Sequence, residues 1–235
     1  MIAITFALPT ESSRLLPRLC YKTNKSRNGI TTIRGRIKDN EIVILHTGVG
    51  ETICRYRIEN LLEETGFRFL ISSGFAGATK EDFRVGDLIL AENFSDPQLL
   101  SVAQRTLNNR AIYAANLFTS KMVINSLDER NAIAQKHGAA AIDMETEVIA
   151  DACAAHGIPL LSLRVISDTW DEPLPAPPGV LFDIKRQKIN LIGLIAHLVK
   201  QPNALGRLSR FGRRMRLVQD NLADSLIALL GSDLR

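Results

Sequence analysis

Short apolar runs rich in β-branched residues recur along the chain, separated by segments with helical spacing. The runs at 2–8 (IAITFAL), 67–73 (FRFLISS) and 158–168 (IPLLSLRVISD) predict buried strands, the last being the clearest. Residues 30–37 and 41–47 predict two strands around Lys38-Asp39-Asn40, a hairpin turn. Further strands are expected at 85–94 and in AAAIDME (139–145), with 112–124 mixed and partly strand. Helices are expected at 51–65, where Ile53, Ile58, Leu61 and Leu62 fall on one face, and at 97–109, 128–137 and 146–156, the last stopped by Gly157. Two closing helices are read at 181–200 and 203–230. Thr10 is placed to cap a helix over 10–19, although Ser13 three positions on makes no capping box. Residues 22–28 (KTNKSRN) read as a polar turn, and PLPAPPG (173–179) as a rigid exposed loop.

Strand and helix patterns alternating in this way predict an α/β fold with a mixed or parallel central sheet. No linker, repeat or low-complexity tract interrupts the 235 residues. At 46% hydrophobic and 23% charged, the chain has enough apolar material for a core without a disulfide or metal staple. Cys20, Cys54 and Cys153 are odd in number and far apart, with no CxxC, so a reducing, cytoplasmic compartment is expected and none is given a catalytic role. His46, His137, His156 and His197 lack metal-ligand spacing, and no metal site is expected. MIAITFALP has no basic n-region, so no signal peptide is read. The apolar run at 189–199 is 11 residues long, short of the ~18–20 that a membrane span needs.

The net charge of +4 is local. Residues 207–216 (RLSRFGRRMR) hold five arginines and no acid, and the remainder of the chain is close to neutral. That distribution gives no support to a nucleic-acid-binding body. Leu208, Phe211, Met215, Val218, Leu222 and Leu226 recur at spacings of three and four, with the arginines on the other side. A basic amphipathic helix of this kind suits an anionic membrane surface; a solvated face or a subunit contact is the plainer reading.

Ligands in open α/β sheets bind beyond the carboxyl ends of the strands, so the residues just past each strand are the candidates for chemistry. Glu11 comes after the first, Gly48-Val49-Gly50 after the run at 41–47, and Gly74-Phe75-Ala76-Gly77 after the run at 67–73. Asp143, Met144 and Glu145 come after 139–142, and Ser167-Asp168 closes 158–168. Each has an ordinary explanation. Glu11 could be a helix-start acid, Asp143 and Glu145 N-terminal acids of the next helix, Asp168 a turn cap, and the glycines tight-turn residues. Their shared position at one sheet end is what favours function.

In this order Glu11, TGVG (47–50), SSGFAGA (72–78), VGDLIL (85–90), DMETEVIA (143–150) and RVISDTWDE (164–172) resemble the purine nucleoside phosphorylase/nucleosidase family across 2–200. Among its branches the chain is most similar to the methylthioadenosine/adenosylhomocysteine nucleosidases and, in its C-terminal tail, the hopanoid-associated group. The resemblance implies a three-layer α/β/α sandwich over 1–200, with the basic helix of 201–235 packed on it or extending from it. It also implies cleavage of the N-glycosidic bond between a purine and a ribose, without a cofactor.

Asp168 matches the acid that protonates the base at N7, since adenine anion leaves poorly. That task asks for a proton held toward neutral pH, which burial at a strand end can supply. Glu145 matches the residue that holds the ribose 2′- and 3′-hydroxyls, where negative charge favours the oxocarbenium-like sugar. Glu11 matches the residue that positions the attacking water and is placed to deprotonate it. Met144, Gly48, Gly50, Phe75, Ala76, Gly77, Val123 and Ser167 complete the implied binding site, with Arg164 structural. Val123 falls near the family's base-stacking aromatic, a task Phe118 could take instead.

Where the family's phosphorylases carry an Arg, this chain has Ile71 and Ser72, and Glu11 puts negative charge where phosphate would approach. Both favour water, and phosphate-dependent cleavage stays as the alternative. A silent nucleoside-binding protein is a further one, though it need not keep Glu11, Glu145 and Asp168 together. The chain departs from the methylthioadenosine enzymes at Phe75 and Ala78, where they carry Ser and Gly. Its segment between Asn93 and Asp143 is also shorter, which implies an open pocket and a bulkier 5′ group such as that of adenosylhopane. A homo-oligomer is expected, with peripheral membrane contact through 207–216.

Overall fold

The computed structural model describes residues 1–169, 171, 182–183, 188–189 and 204–232. Its centre is four parallel strands: β1 (Ile2–Phe6), β4 (Asn40–His46), β5 (Phe69–Ala78) and β10 (Leu160–Asp168). With β2 (Cys20–Arg27), β3 (Ile30–Ile37), β6 (Leu88–Ala91) and β7 (Ile112–Ala115), the sheet runs β2-β3-β4-β1-β5-β10-β6-β7. The β3–β4 hairpin and the β10–β6 pair are antiparallel, so the sheet is mixed. Two short strands, β8 (Leu117–Thr119) and β9 (Ala141–Asp143), extend the end of β5, where Gly77 faces Ile142.

Side chains alternate between the two faces of the central strands, as the period of two demands. Ile2, Ile4, Ile42, Ile44 and Ile71 pack with α2 (Pro97–Thr106) and α5 (Ala204–Leu230). Ala3, Val43, Leu45 and Leu70 pack with α1 (Glu51–Leu62) and α4 (Thr146–Ala155). Helices therefore cover both faces, and the architecture is a three-layer α/β/α sandwich. A sheet covered on both sides has no polar face, which is why β1, β10 and β5 up to its glycines read as continuous apolar runs. Of α5, the second half is core: Val218, Leu222, Leu226 and Leu229 are buried. A further helix, α3 (Leu127–His137), starts just past the segment 120–126.

Four expectations are corrected. The helix over 10–19 is replaced by turns and one 3-10 turn at Leu16–Arg18. Ser12 and Ser13 turn their hydroxyls back to the carbonyls of Pro9 and Thr10, and Pro17 brings no N–H to a helix ladder. The polar turn at 22–28 is instead most of β2, whose eight residues are all exposed. No described residue covers this edge strand, so no apolar alternation marks it; pairing with β3 holds it. The strand expected to end at Ser73 continues through Gly74 to Ala78 along β10. Finally, the loop at 173–179 and most of the helix at 181–200 lie outside the described residues. Within the latter, β11 (Phe182–Asp183) and β12 (Lys188–Ile189) pair antiparallel instead.

Leu222 is completely buried between α5 and the sheet. Leu222→Ala is expected to cost about 2–5 kcal/mol in a urea titration. Leu217→Ala, at a side chain 72% exposed, is expected to stay within about 0.5 kcal/mol of the parent.

Candidate active site

The carboxyl ends of the four parallel strands meet at one edge, and the side chains carried there converge on a cavity of about 270 Å³. Glu11 sits in the turn after β1. Its Oε2 accepts the Leu8 N–H at 2.8 Å and its Oε1 the Phe75 N–H at 2.9 Å. The carboxylate is thus pinned between two strand ends. Burial pushes the Glu11 pKa up, against those backbone donors and the charge of Arg164. The next residue fixes the turn: Ser12 donates to the Pro9 carbonyl and accepts from Nε2 of His46 at 2.7 Å. Burial, then the nearby Arg57, hold the His46 pKa below its ordinary value and so disfavour the charged ring.

Glu145 stands at the start of α4, its Oε1 3.3 Å from the Gly50 N–H. Burial, then the charges of Asp143 and Glu11, push its pKa up to about 8; Arg164 and the Gly50 N–H act in the opposite direction. These surroundings favour the protonated carboxyl over the carboxylate in the free site. Asp143 has a structural task. It receives Arg164 Nε at 2.9 Å, the Thr119 hydroxyl at 2.9 Å and the Thr146 N–H at 3.2 Å. Arg164 is buried and reaches on to Ser72 and Thr146 at 2.8 and 2.7 Å, tying three elements together.

Asp168 closes β10 with both oxygens engaged: Oδ1 accepts the Ser167 hydroxyl at 2.7 Å, and Oδ2 accepts from Arg130. Arg130, on α3, is also buried. Its other donors meet the Ala78 carbonyl at 2.9 Å and the Ile124 carbonyl at 3.1 Å. One side chain thereby binds the acid, the end of β5 and the cavity wall at 122–124. Sequence reasoning missed it. An arginine in the polar segment LDERNAIAQKH carries no local sign that it alone in that helix is buried.

Glu11, Phe75, Ala76, Gly77, Val123, Met144, Glu145, Ser167 and Asp168 all line the cavity. Gly48 and Gly50 do not; Val49 between them does, and the two glycines, at φ +79° and +98°, shape the turn that presents it. Phe118 is also absent from the lining, because its ring packs on His137 at 4.6 Å. Two glycines of β5 are required by close approach. A Cβ on Gly74 would lie 2.8 Å from Glu11 Oε1, and one on Gly77 would lie 3.0 Å from Asp168 Oδ2. Behind the main cavity a polar hollow of about 10 Å³ is lined by Thr5, Ser73, Glu11, Glu145 and Arg164. The hydroxyls of Thr5 and Ser73 are buried there without a hydrogen-bond partner among the described residues. Its size is at the lower limit for a single water, and its walls offer the two to four polar partners a water needs. Among the described residues no group of His, Cys, Asp and Glu is arranged to hold a metal ion.

The sequence model of the phosphorylase superfamily matches residues 1–116 and 92–200. The 5′-methylthioadenosine/S-adenosylhomocysteine nucleosidase of Staphylococcus haemolyticus is 24% identical over 196 residues, which is 72% of this chain and 86% of that protein. The enzyme of the same name from Buchnera aphidicola is 27% identical over 199 residues, covering 72% and 79%. The solved structure of the S. pneumoniae nucleosidase with a transition-state inhibitor superposes with a TM-score of 0.74. It is 20% identical, and 97% of each chain is covered.

The raised pKa of Glu145 sets a pH dependence. Between its ordinary 4.5 and about 8 the folded chain holds a proton that the unfolded chain has lost, so stability falls as pH rises through that window. Glu145→Gln removes the titration. In thermal melts the variant is expected to gain on the parent between pH 5 and 9, by on the order of 1 kcal/mol or more, with no gain below that window.

Proposed function

The chain belongs to the phosphorylase superfamily, and from that footing we propose that it is a nucleosidase. It hydrolyses the N-glycosidic bond of an adenosine-type nucleoside and releases the purine. The observation that carries this reading is the convergence of Asp168, Glu145 and Glu11 on one cavity with a water-sized polar hollow behind it. Two relatives that each align with 72% of the chain are named as nucleosidases.

Each acid takes one task. Asp168 enters the step protonated and passes its proton to N7 of the base; Arg130 stabilises the carboxylate that is left, and the proton that Glu11 takes from the attacking water returns to Asp168 at the end of the cycle. Ser167 keeps that carboxyl turned toward the cavity. Glu145, whose burial favours the protonated form, both donates to and accepts from the ribose 2′- and 3′-hydroxyls and keeps its proton through the step. Glu11, held by two backbone N–H groups, receives the proton of a water supplied from the hollow shared with Thr5, Ser73 and Arg164. Met144 and Val123 bound the sugar and the base.

Water is favoured over phosphate by the charge at the site. Arg164 is committed to Asp143 and Arg130 to Asp168, while Glu11 and Glu145 occupy the side from which the nucleophile comes. A phosphate dianion would meet carboxyl groups there, with no uncommitted arginine lining the cavity among the described residues. The wall at 122–124 opens outward through Met122, 69% exposed, and Val123, 39% exposed. Such an apolar lip suits a large apolar 5′ substituent, of which adenosylhopane is one. The reading includes a homo-oligomer and a cytoplasmic protein in peripheral contact with the membrane through 207–216. No described helix is long and apolar enough to cross a membrane.

Adenine release across a panel of 5′-substituted adenosines, with and without phosphate, tests the proposal. Release is expected without phosphate. Asp168→Asn is expected to lose roughly 10²–10⁴-fold in kcat while still binding nucleoside. Turnover that requires phosphate would replace hydrolysis by phosphorolysis, and binding without turnover in the parent chain would leave a binding protein.

A further inference from the structure

A second concavity, of about 550 Å³, lies between α5 and the loop that leads into β6. Its helix wall is Arg210, Arg213, Arg214 and Leu217, spaced i, i+3, i+4, i+7, so the four form one stripe. Its floor is Gly86 and Asn221. The floor is rigidly joined to the active-site strand. Asn221 donates to the Gly86 carbonyl at 2.6 Å, the Gly86 N–H donates to Ile166 at 2.9 Å, and Ile166 is two residues before Asp168. The groove therefore opens at the same end of the sheet as the catalytic cavity.

Two features decide what it takes. The positive charge of Arg210 and Arg213 is not neutralised: among the described residues neither forms an ion pair, and both are exposed. The acids of the same helix are turned elsewhere, Asp220 to Arg14 at 3.2 Å and Asp224 to Arg18 at 2.5 Å. Within the arginine stripe stands Leu217, with 72% of its surface in water. Arginines recognise phosphate oxygens, but a free phosphate or a nucleic-acid backbone would leave that leucine exposed. A phospholipid surface satisfies both, with headgroup phosphates on the guanidinium groups and Leu217 at the acyl boundary.

We propose that this groove is a binding site for anionic phospholipid headgroups, and that it seats the chain on a membrane with the active-site end of the sheet beside it. The proposal deepens the peripheral contact in the reading above and does not depend on which nucleophile the enzyme uses.

Sedimentation of the full chain with phosphatidylglycerol/phosphatidylcholine vesicles, against pure phosphatidylcholine, tests it. Pelleting with the anionic vesicles alone is expected, weakening as salt is raised. The double variant Arg210→Gln/Arg213→Gln should bind them roughly tenfold or more weakly. Leu217→Ser should also weaken binding. Both variants should keep the parent's thermal melt and its adenine release from a water-soluble nucleoside, so that loss of membrane binding is separable from loss of the enzyme. Absence of pelleting with anionic vesicles, pelleting unaffected by either variant, or displacement by inorganic phosphate at matched ionic strength would each overturn the proposal.

Discussion

Four carboxyl groups, of Glu11, Asp143, Glu145 and Asp168, are buried at one end of the sheet beside only two buried arginines among the described residues. Taking a carboxylate out of water costs several kcal/mol unless charge and hydrogen bonds replace the solvent. The structure distributes what it has. Asp143 takes Arg164, Asp168 takes Arg130, and Glu11 takes two backbone N–H groups from different strand ends. Glu145 comes last, with one long backbone contact and two acidic neighbours, and its pKa is pushed up to about 8. The distinct character of each acid comes from this shortage of positive charge.

The same constraint explains the backbone around the site. Glu11 and Asp168 reach their donors only because β5 carries no side chain where they pass, at Gly74 and Gly77. The parallel arrangement of β1, β4, β5 and β10 brings their carboxyl ends to one edge, so residues from distant parts of the chain face a single cavity. Arg164 and Arg130 differ in what they hold. Arg164 lies within β10 and locks Asp143 to Ser72 and Thr146 in the interior. Arg130 comes from α3 and ties the cavity wall at 122–124 to Asp168, so one side chain fixes that wall relative to the end of β10.

Elements buried on both faces were legible in the chain because burial forces composition. The runs that became β1, β4 and β10 have few polar atoms to hide, and the hairpin turn at 38–40 and the stop at Gly157 are local backbone chemistry. Where tertiary contacts supply the stability, the pattern misled. β2 is held by its neighbour and exposed along its whole length, so its polar residues read as a turn. The segment around Thr10 had helical signals but carries two prolines and serines that bond backward, and it serves to aim Glu11 rather than to pack.

The sequence by itself determined the alternation of strands and helices, the residues next after each strand, and hence the acids and glycines brought to one sheet end. These depend on hydrophobic period and chain order, which are local or nearly so. Only the tertiary structure decided that Arg130 pairs with Asp168, that Val49 rather than its flanking glycines lines the cavity, and that burial beside Asp143 and Glu11 pushes the Glu145 pKa up. Those outcomes depend on which charges approach one another after burial. Coulomb attraction and desolvation act on distances in space, and nothing in the spacing between residues 130 and 168 records that they meet.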